Sequence, residues 1–222
     1  MSRVIVKVGG AVARYAAAQV LELADEGGEV CVVHGAGPQI SAQMQEHGLP
    51  VQWVGGRRVT CREALTLVRD SLAAVNRELC AAIGPRAVGF FGDEIGLQAT
   101  QVPSLGLVGD PFPGPLPAVE AALAEGLIPV IVPIAQGPLN VNADEAAAAV
   151  AVSLEAERIF FLTDVPGLLL SGSVVPVIGA AEAEGLLERR DVEGGIVPKL
   201  RAAVTAARLG VQAEIGQTAV VA

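Results

Sequence analysis

Short runs that are apolar at most positions, without alternation, are interspersed along this chain with longer segments in which apolar residues recur at every third or fourth position. Residues 3–8, 29–34, 87–91, 128–132 and 158–162 are of the first kind and read as strands. A strand with consecutive apolar residues rather than alternating ones is covered on both faces, and such strands separated by helices form a mainly parallel sheet. Residues 15–25, 38–46, 118–125, 144–154, 180–189 and 198–209 read as the covering helices. The longest helix spans 62–83, where Leu65, Val68, Leu72, Val75, Leu79 and Ile83 form one apolar stripe. Residues 51–59 predict a hairpin turning at Gly55-Gly56, 92–117 a Gly/Pro-rich meander with short strands, and 212–215 and 219–221 the closing strands. No internal repeat or low-complexity linker interrupts the series, so a single domain is expected over residues 1–222.

Composition narrows the function classes. Hydrophobic residues make up 52% of the chain, enough for a substantial core, yet no apolar run reaches the roughly 18 residues of a membrane span. The start of the chain passes directly into Val4-Ile5-Val6, without the charged and apolar regions of an export signal. Cys31, Cys61 and Cys80 have neither metal-ligand nor redox spacing, so a reducing, cytoplasmic location is expected. With a net charge of −9, nucleic acid and anionic membrane are not expected as partners, because neutralising phosphates takes clustered cations. Of the fifteen cations only Lys7 and Lys199 are lysine, the rest being arginine. Lysine is a compact point charge and arginine a planar fork, so two isolated lysines in an arginine-using chain suggest a chemical requirement.

Five segments carry candidate chemistry. Val4-Ile5-Val6-Lys7-Val8-Gly9-Gly10 is a buried strand ending in glycines, whose backbone can approach an anion closely. It has neither the dinucleotide nor the Walker spacing. A lysine in an apolar strand needs a partner, so its head is expected at the carboxyl end of the strand, where open α/β sheets bind ligands. Val33-His34-Gly35-Ala36-Gly37-Pro38 repeats the arrangement ahead of a helix, with His34 read as a buried histidine rather than a catalyst. Gly55-Gly56-Arg57-Arg58 offers a guanidinium fork for a carboxylate, which needs one of the two arginines. In Asn140-Val141-Asn142-Ala143-Asp144 the two asparagines share one side of an extended segment, and Asn142 or Asp144 can also cap the next helix. Gly194-Gly195-Ile196-Val197-Pro198-Lys199 places the second lysine just inside a helix.

In this order, with Leu162-Thr163-Asp164-Val165-Pro166-Gly167-Leu168 between the last two, the segments resemble the amino-acid kinase family, on its N-acetylglutamate kinase branch, along nearly the whole chain. The resemblance implies an open three-layer αβα sandwich. Residues 1–135 would hold chiefly the acylated amino acid and 136–222 chiefly ATP. It implies phosphorylation of the side-chain carboxylate of N-acetyl-L-glutamate in arginine biosynthesis. Lys7 and Lys199 would stabilise the transferring phosphoryl group, with Asp144 orienting them. Gly35, Ala36, Arg58, Asn140 and Asn142 would bind the substrate. Gly9, Gly10, Asp164, Val165, Pro166, Gly167, Leu168, Leu169, Asp191, Val192 and Glu193 would lie along the nucleotide. No metal-ligand set is expected on the protein, Mg2+ arriving with the ATP phosphates.

The chain departs from the family pattern at Ala36, usually glycine, and after Ile215, where a helix and loop normally precede the last strand. In this family, arginine-inhibited members carry a helix ahead of the first strand, here preceded by Met1 and Ser2 alone. The expectation is therefore a homodimer insensitive to L-arginine, paired through the apolar stripe of 62–83. Two alternatives stand beside this reading: a related kinase acting on an amino-adipate derivative or carrier-bound glutamate, and a catalytically silent metabolite-binding homologue.

Overall fold

The computed structural model describes residues 2–9, 13–163 and 165–222, at 13 and 14 the backbone alone. The first half contains β1 (Arg3–Val8), α1 (Ala13–Asp25), β2 (Glu29–His34), α2 (Gly37–Glu46) and the hairpin β3 (Trp53–Val54) and β4 (Arg57–Arg58). Then come α3 (Arg62–Ile83), β5 (Ala87–Phe91), β6 (Gln98–Gln101), β7 (Val108–Phe112), α4 (Pro117–Ala124) and β8 (Ile128–Val132). The second half follows with β9 (Ile134–Ala135), β10 (Leu139–Val141), α5 (Ala143–Ser153), β11 (Arg158–Leu162), β12 (Leu169–Leu170) and β13 (Ser173–Val174). It closes with β14 (Val177–Gly179), α6 (Ala180–Arg189), α7 (Ile196–Arg208), β15 (Gln212–Ile215) and β16 (Thr218–Val221).

One eight-stranded sheet runs through both halves in the order β14-β16-β15-β11-β1-β2-β8-β5. The strands from β5 to β15 in that order are parallel. β1 lies between β2 and β11, so the connections diverge on its two sides and open a crevice at its carboxyl end. Alternation along β1 decides what faces that crevice. Val4, Val6 and Val8 pack with Ala16, Val20, Leu79 and Ile83 under α1 and α3. Ile5 points the other way and packs with Ala146, Ala147 and Val150 of α5. Lys7 has the parity of Ile5 and therefore emerges beneath the first turn of α5. The alanine run of that helix lets it lie close against the sheet, buried from Ala146 to Ala151.

The sheet departs from parallel at one end. β16 runs antiparallel to β15 and parallel to β14. Ile215 and Thr218 are joined by Gly216-Gln217 alone, a two-residue turn that can only fold back. Gly216 has φ +55, and a Cβ there would sit 2.6 Å from the Pro166 carbonyl oxygen, so the turn admits glycine alone. The meander and the segment after β8 form a second sheet, β6-β7-β10-β9, which carries Asn140.

The apolar stripe of α3 corrects an expectation. Leu65, Val68, Leu72, Val75, Leu79 and Ile83 are all buried within this chain, so the stripe is used by the fold and offers no surface for self-pairing. Among the described residues, no helix is long and apolar enough to cross a membrane.

Candidate active site

The two lysines meet at one carboxylate. Lys7 Nζ lies 2.8 Å from Asp144 Oδ1, and Lys199 Nζ lies 3.6 Å from Asp144 Oδ2. β1 supplies the first lysine, the opening turn of α7 the second, and the opening turn of α5 the carboxylate. Lys7 and Asp144 are buried, and charges so placed persist only when paired. One carboxylate between two ammonium groups leaves an uncompensated positive charge facing the cleft. Lys199 registers it: burial, followed by the charge of Lys7, holds its pKa below the usual lysine value, against the opposing pull of Asp144. A positive excess at the carboxyl end of a parallel sheet, beside glycine turns and helix N-termini, is an anion site.

The three residues open on a cleft of about 830 Å³, lined also by Gly9, Gly35, Ala36, Arg58, Asn140, Asn142, Gly194 and Gly195. Arg58 is 4% exposed. Its Nη2 donates to the Gly37 carbonyl at 3.0 Å and to Ser41 Oγ at 2.8 Å, and its guanidinium lies 4.2 Å over the Trp53 ring. Among the described residues no carboxylate pairs with it, and burial alone pushes its pKa down. A buried guanidinium held by neutral groups at the wall of a cleft is prepared for an external carboxylate. Its neighbour Arg57 turns the other way, as strand alternation requires, and pairs with Glu145 and Asp110. Both arginines border the cleft, but Arg57 is neutralised by these two carboxylates, whereas Arg58, the one the family resemblance points to, has none among the described residues.

The asparagines divide their work. Asn140 Nδ2 donates to Thr60 Oγ1 at 3.0 Å, and Thr60 Oγ1 donates in turn to the Arg58 carbonyl, tying β10 to β4. Asn142 caps α5, its Oδ1 accepting from the backbone N–H groups of Asp144 and Glu145, while its Nδ2 donates to the Gly56 carbonyl. With its Oδ1 on the helix and one Nδ2–H on the hairpin, Asn142 braces the border of the cleft. Gly35 also differs from expectation: its N–H is donated to the Val8 carbonyl at 2.9 Å, so it extends the strand ladder instead of facing the cleft.

A second cleft of about 340 Å³ adjoins the first through Gly195 and Lys199. Val165, Gly167, Leu168, Leu169, Asp191, Val192 and Glu193, distant in sequence, line it together. The Leu168 N–H is held by Thr218 Oγ1, and the Pro166 carbonyl accepts from the Gln217 N–H, which fixes this loop on the β15–β16 turn. Pro166 itself does not line the cleft. Gly10 and Asp164 lie outside the described residues.

His34 is fully buried on the α3 side of the sheet, where its Nε2 meets Asn76 Nδ2 at 3.1 Å. Burial lowers its pKa to about 4, so it is a neutral core histidine. Trp53 and Glu145 had no assignment from the sequence, and the fold brings them to the site's margin; that Trp53 is the single tryptophan, beside the Gly55-Gly56 turn, was the one available signal. Among the described residues no group of three or more acidic, histidine or cysteine side chains is placed to hold a metal.

The fold is that of a kinase, and the chain belongs to the amino acid kinase family, whose model matches residues 2–217. Its relatives narrow the comparison. It is 41% identical to the acetylglutamate kinase of Rubrobacter xylanophilus, over 97% of this chain and 88% of that one. It is 40% identical to the acetylglutamate kinase of Roseiflexus castenholzii, over 82% and 75% respectively. Among solved structures, smu.665 from Streptococcus mutans superposes with a TM-score of 0.87 at 27% identity, over 99% of this chain and 98% of that chain.

Proposed function

We propose that the protein transfers the γ-phosphoryl group of ATP to the side-chain carboxylate of N-acetyl-L-glutamate, the acetylglutamate kinase reaction. The observation that carries this is the convergence of Lys7 and Lys199 on Asp144 at the floor of a cleft whose wall holds the buried, carboxylate-free Arg58. The names of the relatives at 40% identity or more support the choice of substrate.

The chemistry follows from the charges. Phosphoryl transfer asks mainly for positioning and for positive charge around the moving group. Arg58 orients the acceptor by a carboxylate it does not consume. The free side-chain carboxylate is already ionised, so its oxygen forms the new bond to phosphorus without a general base, while the bond to the bridging oxygen breaks and ADP departs. Lys7 and Lys199 stabilise the negative charge that spreads over the equatorial and bridging oxygens, and Asp144 keeps both ammonium groups apart and aimed. The residues of the second cleft, from Val165 to Leu169 and from Asp191 to Glu193, would hold the nucleotide. Magnesium belongs to the same proposal, neutralising phosphate charge, with a cytoplasmic location and a homodimer whose contact lies elsewhere than the α3 stripe.

The test is a steady-state assay with ATP against N-acetyl-L-glutamate, N-acetyl-aminoadipate and free glutamate, trapping the acyl phosphate as its hydroxamate. The expected result is turnover with a clear preference for N-acetyl-L-glutamate. A preference for the aminoadipate derivative moves the assignment within the family. Nucleotide binding without turnover on any acid overturns it in favour of a silent homologue.

A further inference from the structure

The hairpin bearing Arg58 is fastened to the helix bearing Asp144 by contacts outside the reacting groups. Arg57 Nε donates to both carboxylate oxygens of Glu145, at 3.1 and 2.9 Å, and its Nη2 lies 2.5 Å from Asp110 on β7. Arg57 directly precedes Arg58, and Glu145 directly follows Asp144. The tie therefore joins the residue next to the substrate fork with the residue next to the counter-ion of both lysines. One further hydrogen bond and one close approach lie along the same line. Asn142 Nδ2 donates to the Gly56 carbonyl at 2.8 Å. Gly56 itself, at φ +83, leaves a Cβ only 3.3 Å from Pro198, the neighbour of Lys199.

We infer that Arg57 and Glu145 are positioning residues, an ionic clamp that sets the distance from the substrate-binding guanidinium to the Asp144–lysine cluster. The inference rests on the phosphoryl-transfer reading of this cleft. The side chains of the pair are 19% and 13% exposed, so water screens it little. Burying an ion pair adds little net stability, since desolvation offsets the attraction. What a guanidinium held at two points does supply is orientation: its Nε–H is shared by the two Glu145 oxygens and its Nη2 is held by Asp110. Orientation is what the reaction needs: acceptor and phosphoryl group are bound by elements whose relative placement no strand ladder fixes, because the two-stranded sheet β3-β4 is separate from the central sheet. Small misplacements at such a junction cost rate out of proportion to stability.

The chain's single tryptophan provides a readout independent of turnover, because Trp53 sits on the hairpin over Arg58. Arg57→Ala and the shape-conserving Glu145→Gln should each raise acrylamide quenching of Trp53 fluorescence by about twofold. In the kinase assay each should lower kcat/KM for the acylated acid about tenfold, part of it in kcat, with KM for ATP unchanged within about twofold. The double variant should be no slower than the slower single one, as expected for one shared interaction. Arg57→Lys, which keeps a charge but not the fork, should recover part of the loss. Variants that melt earlier yet keep wild-type quenching and kinetics would reduce the pair to a structural contact and overturn the clamp. Increased quenching with unaltered kinetics overturns it equally. If the wild-type protein turns over none of the acylated acids, the functional reading fails. The clamp is then judged by quenching alone, supported by a rise and overturned by no change.

Discussion

Lys7 and Lys199 share one counter-ion. Asp144 presents one carboxylate oxygen to each, at 2.8 and 3.6 Å, and all three lie on different elements. The arrangement joins the two halves of the chain at the place where negative charge must be received, and it is more sensitive to shape than to charge alone. Arginine at either lysine position keeps the charge but places a wide fork where a point is needed. Lys7→Arg and Lys199→Arg should therefore each lower kcat by on the order of 100-fold, the scale for losing one preorganised charge stabiliser. Circular dichroism and the unfolding midpoint should stay near wild type. Near-normal kcat in either variant removes that lysine from the mechanism.

Asp144→Asn should act on stability as well as rate. It leaves Lys7 buried without its partner, and removing one member of a buried pair costs about 3 kcal/mol. Urea unfolding should show that loss. A non-hydrolysable ATP analogue should raise the melting temperature of this variant more than that of the wild type, because its phosphates supply the missing negative charge. Equal shifts for both proteins would contradict the shared-counter-ion arrangement.

Arg58→Ala should raise KM for the acylated acid while leaving KM for ATP unchanged, since Arg58 lies on the hairpin side of the cleft, away from the cleft of Val165 and Glu193. Loss of the guanidinium also removes the contact over Trp53, so fluorescence should change even without substrate. A fall in ATP affinity instead would place the acid in the wrong half of the molecule.

His34 gives a pH dependence with a defined sign. Its folded pKa, about 4, lies below the ordinary 6.5 because burial disfavours the charged ring. Between those values the unfolded chain takes up a proton that the native state refuses, so stability falls as pH drops from 6.5 toward 4. The full difference is on the order of 3 kcal/mol. The stability gap between wild type and His34→Gln, measured by urea unfolding at several pH values, should therefore change in the variant's favour across that window. A gap constant with pH would mean that the buried ring is protonated in the native state.

Much of this protein was legible in one dimension. Runs such as 4–6 and 128–132 are continuously apolar because both faces of their strands are buried, and a helix as long as α3 shows its 3.6-residue period plainly. The candidate site was legible where chemistry restricts residue choice: two lysines among fifteen cations, glycines after buried strands, and Asn142 ahead of a helix. Those signals are local, because each depends on a residue and its near neighbours. What the sequence could not decide depends on contacts between distant residues. Arg57 and Arg58 are identical in composition and adjacent. Both border the cleft; that Arg57 is neutralised while Arg58 keeps its charge free of carboxylates follows from Glu145 and Asp110 standing on one side of β4 and Gly37 and Ser41 on the other. The stripe of α3 looks the same in sequence whether it meets another copy or its own chain, and here the sheet and the flanking helices α1 and α2 take it. The Gly35 N–H was free in any local reading until β1 ran alongside it and the Val8 carbonyl accepted it. Pattern along the chain determines which faces are apolar and where turns and charges fall; which partner each face and each charge meets is settled only when segments far apart in sequence are packed together.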